Sequence, residues 1–195
     1  RLRSRGLGDV YKRQFLPGGA HNVANDKTKH LVRKWVPRVL RATAPRNSTN
    51  MDWIVFRVAE LYLNYAEALN EYYETPPKEA FDAVLKVRER SGMPGFPSTL
   101  NKEQFREKLR RERAVELAYE DHRFWDIRRW LIADDEGVMK GAMYGLQLSA
   151  VTGAPGKVHY KPYVFENRLW SDRSYLHPIK QTEIDKGYML QNPGW

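Results

Sequence analysis

Glu112, Glu116, Glu120 and His122 fall within eleven residues of one another, and side chains of these types can bind metal or move protons. Spacing decides which of those chemistries is open to them. A di-metal helical bundle needs a Glu and a His three residues apart so that both reach one ion, whereas Glu120 and His122 are two apart and point in different directions on a helix. The HExxH pattern of zinc proteases is absent. Glycoside hydrolysis needs two carboxylates facing each other across roughly 5 to 9 Å, but these three glutamates share one side of one helix. His177 has no serine in a GxSxG setting and the chain has no cysteine to pair with it; preceding Pro178, it reads as extended and structural. The sequence therefore predicts no catalytic residue, no metal and no cofactor.

Recognition without turnover remains open. Sugar binding draws on aromatic faces and planar hydrogen-bonding groups, and on chemistry alone the candidates are Trp35, Tyr144, Tyr163 and Trp170. Each has a packing alternative. Trp35, between Val32 and Val36, also reads as a packing residue, and the glycine-rich stretch Ala133 to Pro162 also reads as a surface excursion held by a few aromatics, with short extended pieces.

The element around which the chain is organised is Arg110 to Trp130, RRERAVELAYEDHRFWDIRRW, about six helical turns. Its wheel is apolar on both sides: Phe105, Leu109, Tyr119, Phe124, Ile127, Trp130 and Leu131 share a sector with Glu112, Arg113, Glu116 and Glu120, while Ala114, Val115, Leu117, Ala118 and Trp125 lie opposite. Such a helix is expected to be enclosed, and enclosed charges must be paired. Partners are available at helical spacing: Glu107 with Arg110 and Arg111, Arg113 with Glu116, Glu120 with Arg123, and Asp126 with Arg129. Asp121 and His122 mark a break.

Upstream, Asp52 can cap a helix over 53–73 in which Arg57, Glu60, Asn64, Glu67 and Glu71 form one polar stripe. Trp53, Phe56, Leu61, Tyr62, Tyr65, Leu69 and Tyr72 surround that stripe, as in a stacked layer. Thr75 and Pro76 open a second helix with a small-residue face of Ala80, Ala83, Val84 and Val87, ended by Gly92 and Pro94. The pair makes a helical hairpin of tetratricopeptide type. Thr99 or Asn101 can cap the organising helix. Residues 15–50 read as loop, with one extended piece at 31–39 demoted to a sheet edge by Pro37.

Residues 1–14 share no pattern with the rest of the chain, and Asp9 to Gln14, DVYKRQ, looks like the translation of a transposon end used to tag sequencing libraries. We read 1–14 as a sequencing scar and 15–195 as the folded domain. The formal charge of +9 then falls to +5, because 1–14 holds five Lys and Arg against one Asp. The remaining cations interleave with acids along helices, which argues against a nucleic-acid partner. No run approaches the roughly 18 apolar residues needed to span a membrane.

Four motifs in order carry a family resemblance: RVAELYLNYAEALN at 57–70, VRERSGMP at 87–94, RERAVELAYEDHRFWDIRRW at 111–130, and LHPIKQTEI with terminal QNPGW. Together they resemble the C-terminal part of SusD/RagB-like proteins, over roughly 53–195. The resemblance implies a mainly α fold of tetratricopeptide-like helical pairs with long irregular loops. It implies non-catalytic capture of glycans or other nutrient oligomers at the cell-surface side of an outer membrane, and delivery to a SusC-like TonB-dependent transporter. Membrane contact would come only through a lipid anchor that, like the first repeats, belongs to an N-terminal portion not present here. Asp121 stands where such proteins often have glycine. The motif positions that resemble the family are Arg57, Glu60, Glu67, Arg113, Glu116, Glu120, Arg123, Trp125, Asp126 and Arg129; none inherits a ligand contact, because the family's binding aromatics lie largely upstream. The alternative is a helical-repeat module that recognises a protein partner without a small ligand. Without the N-terminal portion, faces of the 53–73 helix are expected to be exposed.

Enclosure makes a measurable claim. Glu116→Ala should cost about 3–5 kcal/mol in a denaturant titration if it strands a buried arginine, against under about 1 kcal/mol for a solvated glutamate.

Overall fold

A computed structural model describes residues 27–28, 34–35, 54–153 and 157–195. Its elements are α1 (Val58–Tyr72), α2 (Lys78–Glu89), α3 (Lys102–Glu116), α4 (His122–Arg129), β1 (Gly141–Ala150), β2 (Val158–Arg168), a 3-10 turn (Asp172–Tyr175) and a short α5 (Gln181–Ile184). The described residues fall into two compact units, one from Lys34 to Arg129 with the first four helices, and one from Trp130 to Trp195 with Lys27 and Thr28. The 1–14 segment and the extended piece at 31–39, apart from Lys34 and Trp35, lie outside the described residues. The helix expected from 53 after an Asp52 cap instead begins at Val58, with Arg57 as its N-cap in extended backbone. No helix among the described residues is long and apolar enough to cross a membrane.

In the helical unit the small-residue face of α2 is buried as expected: Ala80, Ala83, Val84 and Val87 pack with Leu63 and Ala66 of α1 and with Phe105, Leu109 and Leu117. Phe105 is fully enclosed, with the rings of Phe81 and Phe96 edge-on at 4.9 and 5.7 Å. α2 begins later than Thr75–Pro76 suggests. Pro76 precedes a second proline and so avoids the helical region, and the N-cap is Pro77, in extended backbone. Gly92 ends the helix at φ +70°, as Gly in a left-handed cap should. Asn101 caps α3 through a reciprocal box: the Gln104 N–H donates to Asn101 Oδ1 at 2.9 Å and the Asn101 N–H to Gln104 Oε1 at 3.2 Å.

The expectation that the organising helix is enclosed on both sides is corrected, as is contact of α1 with neighbours on more than one side, whereas the exposed faces expected of the 53–73 helix are present. On α1 the buried line is Glu60, Leu63, Ala66 and Asn70, while Val58, Leu61, Tyr62, Tyr65 and Tyr72 are exposed. Val115 and Trp125 are exposed as well. The polar stripe of α1 is the side turned inward, because α3 and α4 meet it with opposite charges.

The expected break is real and starts earlier, at Leu117. Tyr119 and Asp121 both take positive φ, +63° and +66°, before α4 starts at His122. A left-handed conformation costs a non-glycine residue roughly 1–2 kcal/mol, so two of them flanking Glu120 need compensation from what Glu120 binds.

In the second unit β1 and β2 pair antiparallel from Gly141↔Arg168 to Ala150↔Val158, with an irregularity between Met143 and Tyr144. Strands of ten and eleven residues replace the short pieces expected. Opposite residues share a face, so Tyr144, Leu146 and Leu148 lie with Val164, Pro162 and Tyr160, and Gly145, Gln147 and Ser149 lie with Tyr163, Lys161 and His159. The Leu146 N–H points away from β2 and donates to the Lys27 carbonyl at 2.9 Å. Its partner Pro162 therefore sits where an N–H would face outward, the place an edge strand tolerates proline. Further on, the Ala133 and Asp134 N–H groups donate to the Tyr175 hydroxyl at 3.1 and 3.3 Å. The Trp195 indole N–H reaches the Arg173 and Leu176 carbonyls at 2.9 and 3.0 Å.

Gly145 is required by proximity. A Cβ there would overlap the Lys27 carbonyl oxygen and lie 3.1 Å from the Tyr163 ring. Gly145→Ala should lower stability by about 1–3 kcal/mol and shift the amide resonances of 144–148 in NMR; unchanged resonances would contradict this approach of chain to strand.

Candidate functional site

The motif residues converge in the helical unit as a ladder between the stripe of α1 and α3–α4. At its first rung Arg57 spans two glutamates: Nε donates to Glu120 Oε2 at 2.7 Å, Nη1 to Glu116 Oε1 at 2.6 Å, and Nη2 to the Glu116 carbonyl at 2.6 Å. Arg90 Nη2 joins at Glu116 Oε1, 2.7 Å. Lys34 pairs with Glu120 and donates to the Glu116 and Ala118 carbonyls at 2.7 and 3.0 Å. Cations thus cover the C-terminal carbonyls of α3, where the helix dipole favours them.

Further along α1, buried Glu60 faces Arg113 Nη2 at 4.0 Å and His122 Nε2 at 3.6 Å. Arg113 donates to Asp126 Oδ2 at 2.7 Å and Asn64 Oδ1 at 2.6 Å, and both charged side chains of the Arg113–Asp126 pair are only 5% exposed. Arg129 grips Glu67 through both Nη atoms at 2.5 and 2.8 Å and Asp126 through Nε at 2.9 Å. Arg106 closes the ladder on both Glu71 oxygens at 2.6 and 2.5 Å. All five stripe residues of α1 are thereby engaged. Arg123 and Trp125 are exposed, and Trp125 meets Phe124 edge-on at 5.0 Å.

Of the local pairs expected for these residues, Asp126–Arg129 forms. Arg113, Glu116 and Glu120 turn instead to partners on other elements: Arg113 to Asp126 and Asn64, Glu116 to Arg57 and Arg90, and Glu120 to Arg57 and Lys34. Burial pushes the Glu120 carboxyl up, but hydrogen bonds and charge from Arg57 and Lys34 outweigh it and hold the group below the usual glutamate range. Arg106 does the same for Glu71, against a smaller effect of burial. Carboxylates engaged in this way position the helices that carry them. Among the described residues no three His, Asp or Glu could hold a metal ion.

The ligand candidates are dispersed. Trp35 belongs to the helical unit, where its indole N–H donates to the Tyr119 carbonyl at 2.8 Å. Trp170 packs edge-on against Tyr175 at 5.2 Å. Tyr144, 65% exposed, and Tyr163, which lies against Gly145, occupy opposite faces of the hairpin. Sequence reading passed over Gln147, Ser149, His159 and Lys161, which share the face of Tyr163 and are exposed. Their signal was the alternation with Leu146, Leu148, Val158 and Tyr160, hidden by two glycines and a proline.

A model of the SusD family matches residues 9–195. The chain belongs to the SusD family. It is 40% identical over 95 residues to the SusD-like protein P25 of Formosa agariphila, covering 47% of this chain and 18% of that one. It is 30% identical over 158 residues to the SusD-like protein P2 of the same organism, covering 76% and 26%. Among solved structures it is similar to a SusD-like protein from Bacteroides fragilis (TM-score 0.64, 34% identity, 74% of this chain and 26% of that one). It is also similar to a SusD homolog from Bacteroides thetaiotaomicron (TM-score 0.53, 30% identity, 76% and 30%). The chain thus spans less than a third of the length of each of these SusD-like relatives. SusD-family proteins are generally non-catalytic binding proteins.

The depressed Glu120 carboxyl sets a pH dependence. Its folded value lies below the ordinary 4.5, so its contribution is complete above that pH and is lost as pH falls through the folded value. Glu120→Gln should lower the melting temperature at pH 7 and flatten the loss of stability on acidification below about pH 4.5; parallel curves for both proteins would contradict the clamp.

Proposed function

We propose that this chain is part of a surface glycan-capture protein that binds oligosaccharide, or another nutrient oligomer, without turnover and passes it to a SusC-like TonB-dependent transporter. The observation that carries the reading is the SusD-family match across 9–195, supported by the engagement of all five stripe residues of α1 in ion pairs and hydrogen bonds. On this reading the α1–α2 pair is a tetratricopeptide-like unit, the working location is the outer face of an outer membrane, and a lipid anchor in an N-terminal portion holds the protein there. Exposed Tyr144 and half-buried Tyr163 are the rings offered to ligand from this part of the protein; Trp35 and Trp170 serve as packing residues.

A second reading, recognition of a protein partner by the helical unit, is favoured by the exposed stripe Val58, Leu61, Tyr62, Tyr65 and Tyr72. Calorimetry of the full chain against a panel of oligosaccharides, with reducing ends assayed in parallel, separates the possibilities. The expected result is saturable binding of at least one oligosaccharide with no sugar release. Release abolished by a single Glu→Gln change would overturn it in favour of hydrolysis, and capture of a soluble protein with no saccharide bound would favour the partner module.

A further inference from the structure

We propose that the polar face of the hairpin is a contact surface for an acidic saccharide, one bearing carboxylate or sulfate groups, with Tyr163 as the stacking platform and Lys161 as the charge-reading group. The proposal rests on the glycan-capture reading and goes beyond it in naming the ligand class and the residues.

Three consecutive cross-strand pairs build the face: Gly145 with Tyr163, Gln147 with Lys161, and Ser149 with His159. Same-face pairs repeat every two residues, about 7 Å apart along the strands, so the three present a row of about 14 Å. Gly145 weakens a strand, which glycine in a strand interior does unless something must approach closely. Here the Tyr163 ring lies within 3.1 Å of where a Cβ would stand, and the Lys27 backbone crosses the same spot. The ring packs close over the glycine and is only half-buried, so part of its apolar surface stays open, and aromatic surface of that kind can stack on a sugar ring.

Beside that ring stand an amide, a hydroxyl, an imidazole and an ammonium. Gln147, Ser149, His159 and Lys161 are exposed, and among the described residues their side chains make no hydrogen bond or ion pair with one another or with a neighbour. Facing strands usually offset charge across a pair, yet no carboxylate stands opposite Lys161. Glu166, toward the far end of β2, is paired with Arg168 at 3.2 Å. Among the described residues the face therefore carries a lysine with no acidic partner beside the ring and several hydrogen-bonding groups. It lacks the apolar centre that a protein interface needs.

The test is calorimetry of the full chain at low salt with four probes: oligogalacturonate for carboxylate, a sulfated dextran oligosaccharide for sulfate, an uncharged malto-oligosaccharide, and a single-stranded oligonucleotide. Lys161→Gln removes an exposed side chain without a partner, so the melting temperature should be unchanged, while affinity for an acidic saccharide should fall about 5-fold. Tyr163→Ala should weaken it about 10-fold. Neutral saccharide should not respond to Lys161→Gln. The proposal is overturned if neither acidic saccharide binds, if both substitutions leave their affinities unchanged, or if only the oligonucleotide responds. Binding of neutral saccharide that ignores both substitutions overturns it while leaving glycan capture standing. Binding of no saccharide at all removes both.

Discussion

Buried ion pairs between the polar stripe of α1 and the acids and arginines of α3 and α4 are the constraint on which the helical unit depends. Its apolar core is small, with four of its nine buried residues alanine or valine on α2, and apolar contacts are less directional than ion pairs. Moving α1 by one residue would set Arg57, Glu60, Asn64, Glu67 and Glu71 against the wrong partners and leave the enclosed charges among them and their partners, Glu60, Arg113 and Glu120, unpaired, at a cost of several kcal/mol each. A buried pair adds little net stability compared with apolar packing of the same volume. What it supplies here is register, because only one alignment satisfies every rung.

That constraint also accounts for the break after α3. To bring Glu120 back toward Arg57 and Lys34, the chain leaves the helix at Leu117 and accepts left-handed backbone at Tyr119 and Asp121. The same turn exposes the Glu116 and Ala118 carbonyls, and Lys34 occupies them. It then lets α4 restart at an angle that returns Asp126 to Arg113. Strain at two residues is offset by a carboxylate held on two cations and by capped carbonyls.

Much of this was legible in the sequence and some was not, for identifiable reasons. The small face of α2, the Gly92 end, the Asn101 cap and the break near Asp121 follow from local rules that need no partner, and the structure has each. Pairing does not follow from local rules: Arg113 and Glu116 sit at helical spacing, yet Arg113 binds Asp126 and Asn64 while Glu116 binds Arg57 and Arg90, because the partners that win lie on other elements. Enclosure of α1 on every side was overstated, since a polar stripe facing opposite charges can itself be the buried side. The hairpin was underread because Gly145 and Pro162 look like breakers. Each is tolerated through a contact or an edge position that only the register reveals.

The division of labour suits a binding protein. The acids of α1, Glu60, Glu67 and Glu71, and Glu116, Glu120 and Asp126 are engaged in holding helices, and on the proposed reading the rings and polar groups of the exposed strands are left for recognition. The most direct test of the ladder is a double-mutant cycle on Arg57 and Glu120, each replaced by Met singly and together, with stability measured by urea unfolding. The account predicts a coupling energy of about 1.5 kcal/mol or more, as for groups joined in one buried network. A coupling below about 0.5 kcal/mol, the value of an exposed pair, would contradict it and return the register of α1 to apolar packing.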